Sequence, residues 1–168
     1  YGAAQTISPV VYSNLSLSGS GTPSMSGVTT VNGNLALSGS VTATPVITTI
    51  GGNVSLTGTS TLTTGAALSI GGNITVGNGT TFTAAGYNLT VNGSTTVGAG
   101  ASGRITISSI NGTKIFAGLI TVNSGATWNN SSNEAITCRG GITNNGTFTA
   151  GTGIYTFDTN SQTVAGTL

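Results

Sequence analysis

A motif of roughly 20 residues recurs along this chain, and that period limits the possible folds more than any other feature. Its most regular copy is Leu68-Ser69-Ile70-Gly71-Gly72-Asn73-Ile74-Thr75-Val76, two short apolar/polar alternations around a Gly-Gly-Asn corner. Aligned on that corner, the copies begin at Asn14-Leu15-Ser16-Leu17, Asn34-Leu35-Ala36-Leu37, Asn53-Val54-Ser55-Leu56, Asn73-Ile74-Thr75-Val76 and Ser94-Thr95-Thr96-Val97. Weaker copies follow at Leu119-Ile120-Thr121-Val122 and Gly141-Ile142-Thr143-Asn144, so successive offsets are 20, 19, 20, 21, 25 and 22 residues. Such a period marks a solenoid in which one repeat is one coil.

The residues within a coil decide which solenoid. A leucine-rich repeat of similar period would need a fixed Leu/Asn pattern and usually a helical leg. No apolar run here has helical spacing, and the abundant Thr, Ser, Asn, Gly and Val disfavour helix interiors. Apolar residues alternate instead, as in strands. The coil at Asn53 turns Val54 and Leu56, then Leu62, then Leu68 and Ile70 inward; the next turns Ile74 and Val76, then Phe82, then Leu89 and Val91. The same columns join Leu62 to Phe82 and Trp128 to Phe148, and a further column runs Ile50, Ile70, Val91, Ile110 and Cys138. The expected fold is all-β: a single-stack, right-handed parallel β-solenoid of about eight coils, three short strands per coil, roughly 35–40 Å long. Leu35, Leu37, Val54, Leu56, Ile70, Ile74, Val76, Phe82 and Val91 should face inward.

At the corners, Gly supplies backbone angles that other residues avoid, and Asn tolerates the left-handed region. Asn14, Asn34, Asn53 and Asn73 should stack as an amide ladder between coils. The chain reads as one domain over residues 1–168: a lead-in at 1–13, regular coils at 14–97, irregular coils with polar bulges at 98–135, and final coils at 136–168 with the last incomplete. Pro23 and Pro45 fall at or near corners, which suits their missing donor. The first residue is Tyr1, not Met, which reads as a processed or excised chain with no signal peptide in view. The one cysteine, Cys138, forms no internal disulfide and reads as a buried, inert thiol.

The runs Asn-Leu-Ser-Leu-Ser-Gly-Ser at 14–20, Val-Asn-Gly-Asn-Leu-Ala-Leu at 31–37 and Ile-Gly-Gly-Asn-Ile-Thr-Val at 70–76 carry a family likeness. The chain resembles the Thr/Gly/Asn-rich β-helical repeats of large bacterial surface and secreted proteins: adhesins, autotransporter passengers and filamentous-haemagglutinin-like exoproteins. The resemblance implies an extracellular or cell-surface protein with a structural or adhesive role, and it transfers no active site.

Charge narrows the chemistry. Charged residues make up 3% of the chain against about 25% in average proteins. The net charge of +1 draws it neither to nucleic acid nor to an acidic membrane, and no apolar run reaches transmembrane length. There is no histidine, and the acids are Glu134 and Asp158 alone. Two isolated carboxylates are a poor basis for glycoside hydrolysis, and the turns carry Asn and Gly where calcium-binding solenoids need Asp. No catalytic residue, metal site or cofactor is expected, and the protein is read as not an enzyme. Lys114 and Glu134 are one coil apart, as are Arg139 and Asp158, so two inter-coil ion pairs are expected, each worth well under about 1 kcal/mol if exposed. A sharper alternative is an isopeptide crosslink from Lys to Asn or Asp with a Glu helper. The many Asn-x-Ser/Thr sequons, Asn130 among them, arise from the repeat itself.

Three functional expectations follow. The leading one is an extracellular structural protein that stacks end to end, as a filament subunit or a segment of an adhesin stalk. Its interface would comprise Gln5, Thr6, Ile7 and Val10 at one end and Gln162, Thr163, Val164 and Leu168 at the other, because Gln162-Thr163-Val164 echoes Gln5-Thr6-Ile7. Its partners would be copies of itself, with a host surface or extracellular matrix beyond them. The second is ice or surface binding by an outward Thr array: Thr61 and Thr63 around Leu62, Thr81 and Thr83 around Phe82, Thr147 and Thr149 around Phe148. Arg104 and Asn129 interrupt that array. The third is a carbohydrate-binding or carbohydrate-degrading β-helix.

Overall fold

Strands of three or four residues separated by corners, with every second side chain apolar, bury one face per strand and must close on themselves to cover it. In a computed structural model describing residues 5–99, 101–159 and 161–168, they do so as a β-solenoid. The described residues form 22 strands and no helix. The strands lie in three parallel sheets, one strand of each per turn. The first sheet has eight strands: Leu15–Leu17, Leu35–Leu37, Val54–Leu56, Ile74–Val76, Thr95–Val97, Ile120–Val122, Gly141–Asn144 and Thr163–Gly166. The second has seven, from Ser20–Gly21 through Thr61–Thr63, Thr81–Ala84, Arg104–Ile107 and Thr127–Asn129 to Thr147–Thr149. The third also has seven, from Thr30–Val31 through Leu68–Ile70, Leu89–Val91, Lys114–Phe116 and Ile136–Cys138 to Tyr155–Thr156. The stack therefore makes about seven turns where the repeat count suggested about eight.

Register makes the core continuous. In the first sheet Leu15, Leu35, Val54, Ile74, Thr95, Ile120, Ile142 and Val164 stand one above another. In the second, Leu62, Phe82, Ile105, Trp128 and Phe148 do. All nine residues expected to face inward are buried. Each fully buried aliphatic or Phe side chain contributes on the order of 1.5–3 kcal/mol.

One column differs from the sequence expectation. Val91 pairs with Phe116, and Phe116 with Cys138, while Ile110 is 68% exposed on a corner. The 25-residue offset explains the slip. The corner before Arg104–Ile107 spans 98–103, against 77–80 one turn earlier, and the corner after it spans 108–113, against 85–88. Two extra residues in each corner move position 110 off the column, while the strand between them keeps its register with Thr81–Ala84.

Glycine plays two distinct parts. Gly39 and Gly58 stack with φ of +71° each, and a Cβ on Gly58 would lie 2.4 Å from the Gly39 carbonyl oxygen. In the Gly-Gly-Asn corner the need is space instead of angle. Gly72 lies outside the left-handed region, but a Cβ there would sit 2.3 Å from the Asn53 Oδ1 of the coil beneath.

The lead-in forms a partial coil of its own. Thr6 bridges Ser24, Tyr12 bridges Val31, and Ile7 is 1% exposed.

Candidate functional site

The asparagine ladder exists, in a different chemical form from that expected. The backbone N–H of Asn34 donates to Asn14 Oδ1, Asn53 to Asn34, Asn73 to Asn53 and Ser94 to Asn73, each at 2.8 Å. The side chains thus cap backbone donors of the next coil and do not pair amide to amide. Each bond contributes about 0.5–1.5 kcal/mol and holds successive corners in register. The four asparagines are exposed.

The two carboxylates stand in separate ion pairs. Asp158 meets Arg139 Nε at 3.1 Å as the first expected pair, and this one is exposed. Lys114 and Glu134 form the second expected pair, and it is buried: their side chains are 0% and 7% exposed, with Nζ 3.8 Å from Oε2. Register puts Lys114 between Leu89 and Ile136 in an otherwise apolar column. Its ammonium donates to the carbonyls of Asn111 at 2.8 Å and Gly112 at 3.1 Å. Burial lowers the Lys114 pKa, against the opposing pull of the Glu134 carboxylate. Among the described residues, the hydrogen-bond and ion-pair partners of this ammonium are two backbone carbonyls and Glu134.

Sequence reading missed a second polar cluster beside it. Asn130 is 0% exposed; its Nδ2 donates to the carbonyls of Glu134 and Ala150 and to the Tyr155 hydroxyl. Trp128 Nε1 donates to the same hydroxyl at 3.0 Å. Burial pushes the Tyr155 phenol up, against those two donors. The Asn130 sequon is therefore closed to modification in the folded protein. Its signal in sequence was only an Asn-rich bulge, which gives no sign of which amide turns inward. Cys138 is buried as expected, and burial pushes its thiol up to about 12. Such a thiol is unreactive near neutral pH.

The Thr face is assembled in register. One outward column reads Thr61, Thr81, Arg104, Thr127, Thr147; the other reads Thr63, Thr83, Thr106, Asn129, Thr149. Both lie on the second sheet, around the inward column from Leu62 to Phe148. The interruptions at Arg104 and Asn129 fall where the sequence placed them.

The expected end-to-end residues divide. Ile7 lies in the core, while Gln5, Thr6 and Val10 are exposed. Thr163 and Val164 belong to the last strand of the first sheet, paired with Gly141 and Ile142. Thr6 instead bridges Ser24, beyond the second-sheet strand Ser20–Gly21. The echo between Gln5-Thr6-Ile7 and Gln162-Thr163-Val164 is thus one of sequence, and the structural counterpart of Val164 is Leu15. Val164 is 53% exposed and Leu168 48%, with Ile154 and Phe157 exposed on the same final coil.

No group of three or more metal-capable side chains occurs among the described residues, and no helix there is long and apolar enough to cross a membrane. Comparison with protein families, with curated proteins and with solved structures found no match to this chain.

Proposed function

We propose that this chain is a non-catalytic structural element of an extracellular rod: a β-solenoid that continues coil on coil, as a filament subunit or as a segment of an adhesin stalk. The observation that carries the reading is the contrast along one core column. Ile142 is 0% exposed beneath the next coil, and Val164, directly above it, is 53% exposed. A further coil laid on that face would bury Val164 as each earlier coil buries the one below, and would pair the open edges of the last strands. In the filament form that coil belongs to a second copy. The contact is heterologous and does not close on itself, so it propagates. Both carboxylates are neutralised in separate ion pairs, which suits a structural element better than acid–base chemistry. The cell-surface setting rests on the likeness of the repeats to those of bacterial adhesins and exoproteins.

Electron microscopy of the purified chain tests this. The expected result is filaments with an axial repeat of about 35 Å, one turn adding about 4.8 Å. Val164→Lys, at an exposed position, should leave the fold intact and abolish them. Monodisperse monomers at high concentration would overturn the filament reading.

A second reading rests on the Thr columns. Hydroxyls repeat at about 4.8 Å along a nearly uncharged face, which resembles the Thr arrays of ice-binding solenoids. Thermal hysteresis should then appear in purified protein and fall in Thr83→Tyr. Its absence in the wild-type protein would remove this reading.

A further inference from the structure

All five charged side chains of the chain are described, and four of them neutralise one another: Lys114 with Glu134 and Arg139 with Asp158. Arg104 is the remaining one. It is exposed in the middle of the Thr face, with Thr81 and Thr127 at its two sides in register. The net charge of +1 is therefore localised at one point on a face that is otherwise uncharged.

That point adjoins a concavity. A depression of about 250 Å³ is lined by Gly79, Thr80, Thr81, Ser102, Gly103, Arg104, Gly125 and Thr127. Ser102 and Gly103 in its lining belong to the corner at 98–103, one of the two lengthened by two residues, so the concavity belongs to this turn. Three of its lining residues, Gly79, Gly103 and Gly125, have positive φ and no side chain to fill it. Ser102 Oγ accepts the Gly79 N–H at 2.8 Å, which ties the long corner to the coil beneath and leaves the hydroxyl proton free to donate. Every other side chain lining the depression is a hydroxyl or the guanidinium itself. No aliphatic or aromatic side chain lines it, and no carboxylate that would repel an anion.

We propose that Arg104 and this depression form an oxyanion-binding site, taking a carboxylate, phosphate or sulfate group carried on a polar ligand. A planar guanidinium presents paired N–H donors that match two oxygens of such a group. The Thr81, Thr127 and Ser102 hydroxyls supply further donors at the rim. The volume is below the usual range for a drug-sized ligand, roughly 300–1,000 Å³, and fits a single anionic group with its nearest substituent. Such a site would give a rod with no other free charge one chemically defined contact point per chain.

The test is an amide-shift titration of the isotope-labelled full chain with sodium acetate, sodium phosphate and sodium sulfate. Sodium chloride at matched ionic strength is the control. The expected result is saturable shifts, confined to amides around Gly79, Ser102, Gly103 and Gly125, with roughly millimolar affinity for at least one of the three anions. Which anion binds tightest assigns the carboxylate, phosphate or sulfate arm. Arg104→Gln should abolish saturation while leaving the rest of the spectrum unchanged. Arg104→Lys, which keeps the charge but loses the fork, should weaken binding about fivefold. Arg139→Gln, at the exposed paired arginine, should leave binding unchanged. The proposal is overturned if none of the anions gives saturable shifts, if chloride reproduces them, or if Arg104→Gln binds like the wild-type protein.

Discussion

Glu134→Gln is expected to destabilise the protein by about 3–5 kcal/mol, because it leaves the Lys114 ammonium buried with two backbone carbonyls and no counter-charge. The amide keeps the shape of the carboxylate, so the loss is one of charge and not of packing. Lys114→Met alone should cost a similar amount, now leaving the carboxylate unpaired. The two changes together should recover most of the loss, since Met fits the column between Leu89 and Ile136 and no buried charge remains. Urea unfolding of the four proteins measures the cycle, and a Glu134→Gln variant within about 0.5 kcal/mol of wild type would refute it. The pH dependence has a fixed sign. The folded-state pKa of Lys114 is lowered from 10.5. Between that lowered value and 10.5 the unfolded chain binds more protons than the native one, so stability from this group rises with pH across that window. Wild type minus double variant should show the rise; Cys138 and Tyr155, common to both, cancel.

Trp128→Ala should cost about 3–5 kcal/mol. Trp128 is fully buried, edge-on to Phe116 at 5.2 Å between ring centroids and stacked on Phe148 at 5.6 Å with ring planes 3° apart. Truncation opens a cavity between two coils and removes the indole donor from the Tyr155 hydroxyl. Trp128→Phe, which refills most of the space, should cost markedly less. A solenoid couples mainly nearest neighbours, so the damage should be local. Hydrogen exchange should show lost protection in strands from Arg104–Ile107 to Tyr155–Thr156, with Leu35–Leu37 through Leu68–Ile70 still protected. A cost below about 1 kcal/mol, or uniform loss of protection, would contradict this.

The regular coils show how much the chain discloses unaided. Where the offset stays between 19 and 21 residues, alternation names the inward side chain and the period names its neighbour above and below. Leu35, Val54 and Ile74 were placed in this way, and so were Thr61 and Thr81 on the outer face. The Asn14-to-Asn73 ladder was visible for the same reason, since residues at equal phase in a stacked coil must meet. The bonding of that ladder was not visible. Spacing shows that two asparagines are adjacent, while the position of the next backbone N–H decides what each Oδ1 accepts.

The irregular coils mark the boundary. Two corners each gain two residues, and four residues of added length can be divided between corners in several ways that leave every strand's alternation intact. Only the paired backbones select one division. That selection carries Phe116 into the core in place of Ile110, turns Lys114 and Asn130 inward, and opens the depression beside Arg104. Residue type and period therefore determined that this chain is a stacked parallel coil with a continuous apolar interior. Inter-coil hydrogen bonding alone decided the register past Val97, and with it which charges are paired and which one is left alone.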